Sequence, residues 1–246
     1  MPRARSLSDD IVLERAIGVF WQNGYAGTSL RDLTRATGLS SAALYHRFTD
    51  KDGLFVEALR RYADDGLVER FARLSAAADP LGAIRDFLDE LIAMSLADPH
   101  HRGCLLVNTA LDGAATSNEA RELVRARLGE VERFFAGRLE RAVDIGALDP
   151  KTDVPANATA LLGAAFAIRV MVRLDPKPQR LRALADHAIA SLPRRPQTRK
   201  KRSPDDRPPR LDDAQRPQDD DLPRGNGRAV SRDSGEYQRR RPGTKA

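Results

Sequence analysis

From residue 8 to residue 192, apolar side chains recur at i, i+3, i+4 and i+7 with hardly a break. Nowhere in that stretch do they alternate with a period of two between turn signals. A chain patterned in this way can hide its apolar stripes only by packing helix against helix, so an all-α fold is predicted. Capping signals divide the pattern into about nine helices. The first spans about 8–23, with Asp9 and Asp10 at its positive end and Gly24 as its stop. The second starts at Ser29, where Asp32 completes a capping box, and ends at Thr37 before Gly38. A short third lies over 40–48, and a fourth starts after Thr49 or Asp50 and runs to about 77. The remaining five are expected over 80–97, 102–111, 116–146, 154–174 and 178–192.

Charge separates this folded part from the C-terminal remainder of the chain. Residues 193–246 hold 16 basic and 9 acidic residues, leaving 25 against 26 in residues 1–192. The same last 54 residues contain eight of the fifteen prolines and only seven apolar residues. Such a segment has too little to bury to offset the entropy of ordering, so a disordered, charged Arg/Asp/Pro-rich tail is predicted over 193–246. Its basic clusters could add salt-sensitive affinity for nucleic acid, and an inert solvated extension fits its composition equally well. A single cysteine excludes a disulfide framework and fits a reducing compartment. The longest apolar run, 160–168, is short of a membrane span, and the first ten residues lack the apolar core of a signal peptide. A cytoplasmic protein with no membrane partner is expected.

Residues 29–48, SLRDLTRATGLSSAALYHRF, form two short helices joined by a turn at Gly38. That is the helix-turn-helix arrangement, whose second helix enters the major groove of DNA. Leu30, Leu33, Leu39 and Leu44 can fill the small core between the two helices. Ser41, Ala42 and Ala43, at the start of the second, are small enough to let its backbone approach base edges. The spacing alone is also that of any αα-hairpin.

Further residues narrow the choice. Leu13, Ala16, Phe20 and Gly24-Tyr25 are followed by Thr28, Leu33, Gly38-Leu39-Ser40, Leu44-Tyr45, Phe48, Lys51 and Leu54 at fixed offsets. In these positions the N-terminal 55 residues resemble the DNA-binding domain of the TetR/AcrR family of bacterial transcriptional regulators. Thr34 and Thr37 depart from the alanines usual there, and a tail after Leu192 has no counterpart in a typical member. The resemblance implies that Tyr45 contacts phosphate and a base edge, that Lys51 binds phosphate, and that His46 and Arg47 face the DNA backbone. Arg31 stands where some members reach a base, Thr28 and Ser29 can donate to phosphate, and Ser40 opens the recognition helix. The DNA-binding set is therefore Thr28, Ser29, Arg31, Ser40, Ser41, Ala42, Ala43, Tyr45, His46, Arg47 and Lys51. Plainer roles compete: Tyr45 as a core residue, Arg31 and Arg35 as solvated charges, and Ser29 as a helix cap alone.

The string RGCLLVNTALDGA, 102–114, is similar to a segment of one large subset of the family, where it lies near an effector cavity. The expected ligand-binding residues are Met94, Cys104, Asn108 and Arg169. Cys104 reads either as a small buried apolar side chain or as a sensor of electrophiles. Asp98, His100, His101 and Cys104 have zinc-ligand chemistry, but adjacent histidines point to different faces, and no metal or other cofactor is expected. Nucleophile elbows, zinc-protease helices, dinucleotide loops and P-loops are absent from the sequence, which argues against an enzyme. The eighth helix is crowded with Ala and Gly and apolar on nearly all sides, so a second copy of the chain is expected to cover part of it. The resulting organisation is a helix-turn-helix domain over 6–66, a ligand-binding and dimerisation domain over 67–192 and the tail. The expected function is a sequence-specific regulator, a repressor that a small-molecule effector releases from a palindromic double-stranded operator. The alternative is an architectural DNA-binding protein without an effector. A closed cavity within 80–192 distinguishes the two.

Overall fold

In a computed structural model of the chain, residues 7–65, 67–112 and 116–195 are described. They form ten helices and no named strand: α1 (Asp9–Gly27), α2 (Leu30–Thr37), α3 (Ser41–Phe48), α4 (Lys51–Asp64), α5 (Leu67–Ser75), α6 (Pro80–Ala97), α7 (Leu105–Asp112), α8 (Asn118–Asp144), α9 (Val154–Leu174) and α10 (Pro178–Ala190). One expected helix is two. The pattern over 50–77 breaks because Asp65 leaves the helix with extended backbone, closing α4 before α5 begins. The expected stop of the first helix also differs in detail. Gly24 interrupts it at φ 71°, ψ 172°, after which a last turn continues to Gly27.

Local chemistry accounts for most of the remaining boundaries. At α2 the Ser29 side chain accepts from the Asp32 N–H while Asp32 accepts from the Ser29 N–H, which satisfies two otherwise orphaned donors. Gly38 takes the left-handed conformation, φ 73°, that ends α2 and would strain any residue with a Cβ. Ser117, not Thr116, caps α8. The helix expected from residue 102 starts at Leu105, because the preceding loop turns through positive φ at His101 and Gly103.

Two apolar clusters organise the chain. The first joins Val12, Ala16, Phe20, Leu33, Leu44 and Phe48 of α1–α3 to Leu54, Phe55 and Leu59 of α4, and it also takes in Cys104–Val107, Ala120 and Val124. The second lies among α5, α6, α8, α9 and α10, with the rings of Phe71, Phe87, Phe134 and Phe135 packed together at centroid separations of 5.2–6.2 Å. Each large side chain buried in this way contributes about 1.5–3 kcal/mol. The start of α7 is thus part of the core of the N-terminal helices, although the sequence assigned it to the second domain. The expected tail begins at Pro193, yet its first residues belong to the fold: Leu148 bridges to Arg194, and the Asp149 N–H donates to the Pro193 carbonyl at 2.9 Å. Residues 196–246, on which the rest of that expectation falls, lie outside the described residues.

By length and composition α9 is apolar enough to cross a bilayer. Here Ala158, Leu161, Ala165, Ile168 and Val172 pack into the second core, and Ala156, Thr159, Ala160 and Gly163 form an exposed row of small residues.

Candidate nucleic-acid interface and ligand cavity

The two short helices present their polar residues outward. Leu33 of α2 and Leu44 and Phe48 of α3 are buried, which orients the rest of α3. Ser41, Ala42, Tyr45 and His46 are exposed, with Ala43 half-buried beside them. Arg31 and Ser40 are exposed on the same hairpin. The Ser40 hydroxyl accepts from the Ala43 N–H at 3.2 Å and so caps the helix. Tyr45, at 38 % exposure, is no core residue. Thr37, where an alanine is usual, is fully buried without penalty, because its hydroxyl donates to the Leu33 carbonyl at 2.7 Å and accepts from the Leu39 N–H.

Three of the residues assigned to DNA have partners within the chain. Thr28 is buried and its hydroxyl donates to the Gly24 carbonyl at 2.7 Å. The Ser29 hydroxyl donates to the Asp32 carboxylate within the capping box. Arg47 folds back onto the start of α1, donating to the Leu7 carbonyl at 2.8 Å and pairing with Asp9 at 3.1 Å. None of these partners is near in sequence to Arg47, so no local signal reveals them. Lys51, the first residue of α4, holds its ammonium 4.3 Å from the centre of the Tyr25 ring, and burial lowers its pKa.

The second feature is a cavity of about 540 Å³. It is neither closed nor confined to residues 80–192 as expected, since the exposed Ile11 and Met94 lie on its lining. Ile17 and Trp21 of α1 and Tyr62 of α4 line it together with Phe87 and Leu91 of α6 and Leu162 and Phe166 of α9. Of the expected ligand residues, Met94, Cys104 and Arg169 line it. Asn108 does not; its amide donates to the Arg102 carbonyl at 3.0 Å and serves the loop before α7. Sequence reasoning missed Trp21 and Tyr62, whose helical spacing marks them only as core.

Cys104 is buried where α4, α7 and the cavity meet. The Leu105 N–H donates to the Tyr62 hydroxyl at 3.4 Å, and burial pushes the Tyr62 phenol well above its ordinary pKa. Beside it, Gly103 has φ 76°, and a Cβ there would stand 2.5 Å from the Arg169 carbonyl. The loop is fastened by Asp98, which accepts from the Arg102 guanidinium at 2.8–3.2 Å and from the Arg102 N–H at 2.7 Å. Burial pushes the Asp98 carboxyl up, but these bonds and one from the His100 N–H prevail and hold its pKa at about 2. Arg102 lies 4.2 Å over the Trp21 ring, tying the loop to α1. Asp98 is thereby committed to Arg102, and among the described residues no group of three or more His, Cys, Asp or Glu is placed to hold a metal.

Much of the described chain is similar to known proteins. Residues 12–58 match the model of bacterial regulatory proteins of the TetR family, and residues 80–192 match that of the tetracyclin repressor-like C-terminal domain. The HTH-type transcriptional regulator YezE of Bacillus subtilis is 30 % identical over 194 residues, covering 78 % of this chain and 98 % of YezE. The transcriptional repressor ComR of Escherichia coli is 29 % identical over 153 residues, 62 % of this chain and 73 % of ComR. Among solved structures, a cysteine mutant of the TetR family regulator CifR, complexed with 26-bp operator DNA, is 34 % identical. It superposes with a TM-score of 0.69 over 78 % of this chain and all of that one. The two family models cover most of the described chain, and with these relatives they establish that it belongs to the TetR family of DNA-binding bacterial transcriptional regulators.

Proposed function

We propose that this chain is a homodimeric repressor that leaves its operator when a small molecule fills the cavity between α1, α4 and α6–α9. The cavity carries the reading, because one set of walls belongs to the helices that support the DNA-facing hairpin and the other to the C-terminal helices. An architectural protein without an effector has no need of such a space. Ligand sites are commonly clefts of roughly 300–1,000 Å³, mostly apolar with a few polar groups, and this one fits that description. The relatives named as repressors, and CifR in complex with its operator, support the DNA partner and the sign of control.

The recognition surface in this reading is Arg31, Ser40, Ser41, Ala42, Ala43, Tyr45 and His46, with Lys51 at the α4 N-terminus reaching phosphate. Thr28, Ser29 and Arg47 act by holding that surface in shape. A dimer joined through α9 and α10 would present two such surfaces to successive major grooves, about 34–36 Å apart on a palindromic site. A ligand that favours another spacing lowers the population able to bind DNA. Such a protein works in the cytoplasm, where the DNA is, and needs neither catalytic chemistry nor a cofactor. The test starts by selecting bound fragments from genomic DNA and measuring affinity for the recovered duplex. Tyr45→Ala and Lys51→Ala should each weaken binding about ten- to a hundredfold with helix content unchanged, and Lys51→Ala should lower the salt slope by about one. Unaltered affinity in both variants would contradict the surface.

A further inference from the structure

The cavity wall is mostly apolar, yet one side chain in it is a cation held almost entirely out of water. Arg169, in the C-terminal half of α9, is 7 % exposed. Its hydrogen bonds both leave from Nη1, to the Ser95 hydroxyl at 2.9 Å and to the Gly103 carbonyl at 3.4 Å. Nε is buried with no partner at all. A guanidinium has more donors than these contacts use, and both acceptors are neutral. Among the described residues no carboxylate pairs with it, although twelve other ion pairs form across the same fold. A buried charge without a counter-ion is costly, and removing it is often neutral or stabilising in itself.

One neighbour on the cavity wall has the same character. The Tyr62 hydroxyl accepts from the Leu105 N–H and is hydrogen-bonded to the Cys104 side chain, so it is already partnered. Trp21 is a donor only, and its indole N–H is buried without a partner. The acids on the lining, Asp10, Glu14 and Asp65, are all exposed, and Arg61 lies 3.7 Å from Asp10. Those exposed charges are screened by solvent and salt, whereas Arg169 is not.

Resting on the reading of this space as the effector site, we infer that the effector is a small organic acid, with an apolar body against Phe87, Leu91 and Phe166 and a carboxylate on Arg169. A planar carboxylate matches the guanidinium fork and supplies the missing counter-charge. Trp21 offers a further donor to its second oxygen or to a polar substituent.

The test uses the full chain and pairs of probes that differ only in the head group: octanoate against octanol, and phenylbutyrate against phenylbutanol. Calorimetry should show the acid binding about tenfold or more tightly than its alcohol. Arg169→Met should remove that preference and Arg169→Lys should retain part of it. Without any probe, the melting temperature of Arg169→Met should equal or exceed that of the parent, since the variant relieves a buried charge. Equal affinity for acid and alcohol overturns the inference, as does binding of the alcohols alone; in both cases the cavity still stands as a ligand site. Arg169→Met melting well below the parent, with the acid preference intact, assigns Arg169 to the fold and overturns it too. Should no probe bind, and Leu162→Trp, which fills the space, leave DNA affinity unaltered, the effector site itself fails along with the inference.

Discussion

The DNA-facing hairpin and the cavity wall place their polar groups under opposite rules. In the hairpin, Ser29, Asp32, Thr37 and Ser40 each find a partner within four residues, and the side chains left over face water. In the cavity, the polar groups of Arg169 and Trp21 are buried and incompletely partnered. Solvent can satisfy the first set when DNA is absent, so the surface costs little to keep. The second set keeps buried donors without a partner in the protein. A surface of the first kind can recognise by contact alone, while a site of the second kind changes the stability of the whole molecule when filled.

The contrast can be broken at the proposed dimer seam, with the largest expected effect. A Cβ on Gly163 would meet nothing within 4 Å, and the small residues around it on α9 are exposed. If a second copy covers this row, Gly163→Arg puts two charges into one packed two-fold interface and costs several kcal/mol. Light scattering should then report monomer, with helical content retained. An intact dimer would move the interface elsewhere and remove the fixed spacing between recognition surfaces.

A smaller effect sharpens the contrast at the junction of the two regions. Gly103 lets the loop before α7 lie against the α9 backbone, so Gly103→Ala must displace either the Arg169 carbonyl or the loop. A loss of about 3 kcal/mol is expected from denaturant unfolding. Little change would mean that α7 is not pinned there and that the cavity wall can shift freely.

The smallest effect depends on pH. Asp98 has a folded pKa of about 2, below the ordinary 3.8, so the folded state binds fewer protons than the unfolded one. The Asp98–Arg102 contribution is therefore complete above about pH 4 and is lost as pH falls through about 2. It amounts to about 1–2 kcal/mol, discounted for the partly exposed Arg102. Asp98→Asn should melt lower than the parent at neutral pH and lose less stability in that acid window. Parallel curves for the two proteins would place the acid sensitivity in other carboxylates.

The hairpin was legible in the sequence because its determinants are local. Ser29 with Asp32, Gly38 and the spacing of Leu33, Leu44 and Phe48 specify caps, a turn and a buried face within twenty residues. The break between α4 and α5 had a signal in the Asp-Asp-Gly at 64–66, which the continuous apolar pattern outweighed. Nothing local marks Arg47 for Asp9, or Trp21 and Tyr62 for a wall shared with α9. Those contacts join residues dozens of positions apart, and a helical period says which face is inward without saying what it meets. Arg169 could be singled out as a charge in an apolar helix, but only the packing around it leaves its charge unpaired.

If occupancy of the cavity is communicated to the DNA surface, Leu162→Trp reveals it without any knowledge of the effector. Leu162 is half-buried on the cavity wall, away from the DNA-facing hairpin, so the larger ring fills the space that a ligand would take. Fluorescence anisotropy with the selected operator duplex should show affinity weakened by about tenfold or more, with dimeric mass and helix content unchanged. Operator affinity equal to that of the parent, in a variant whose cavity is filled, would contradict the coupling.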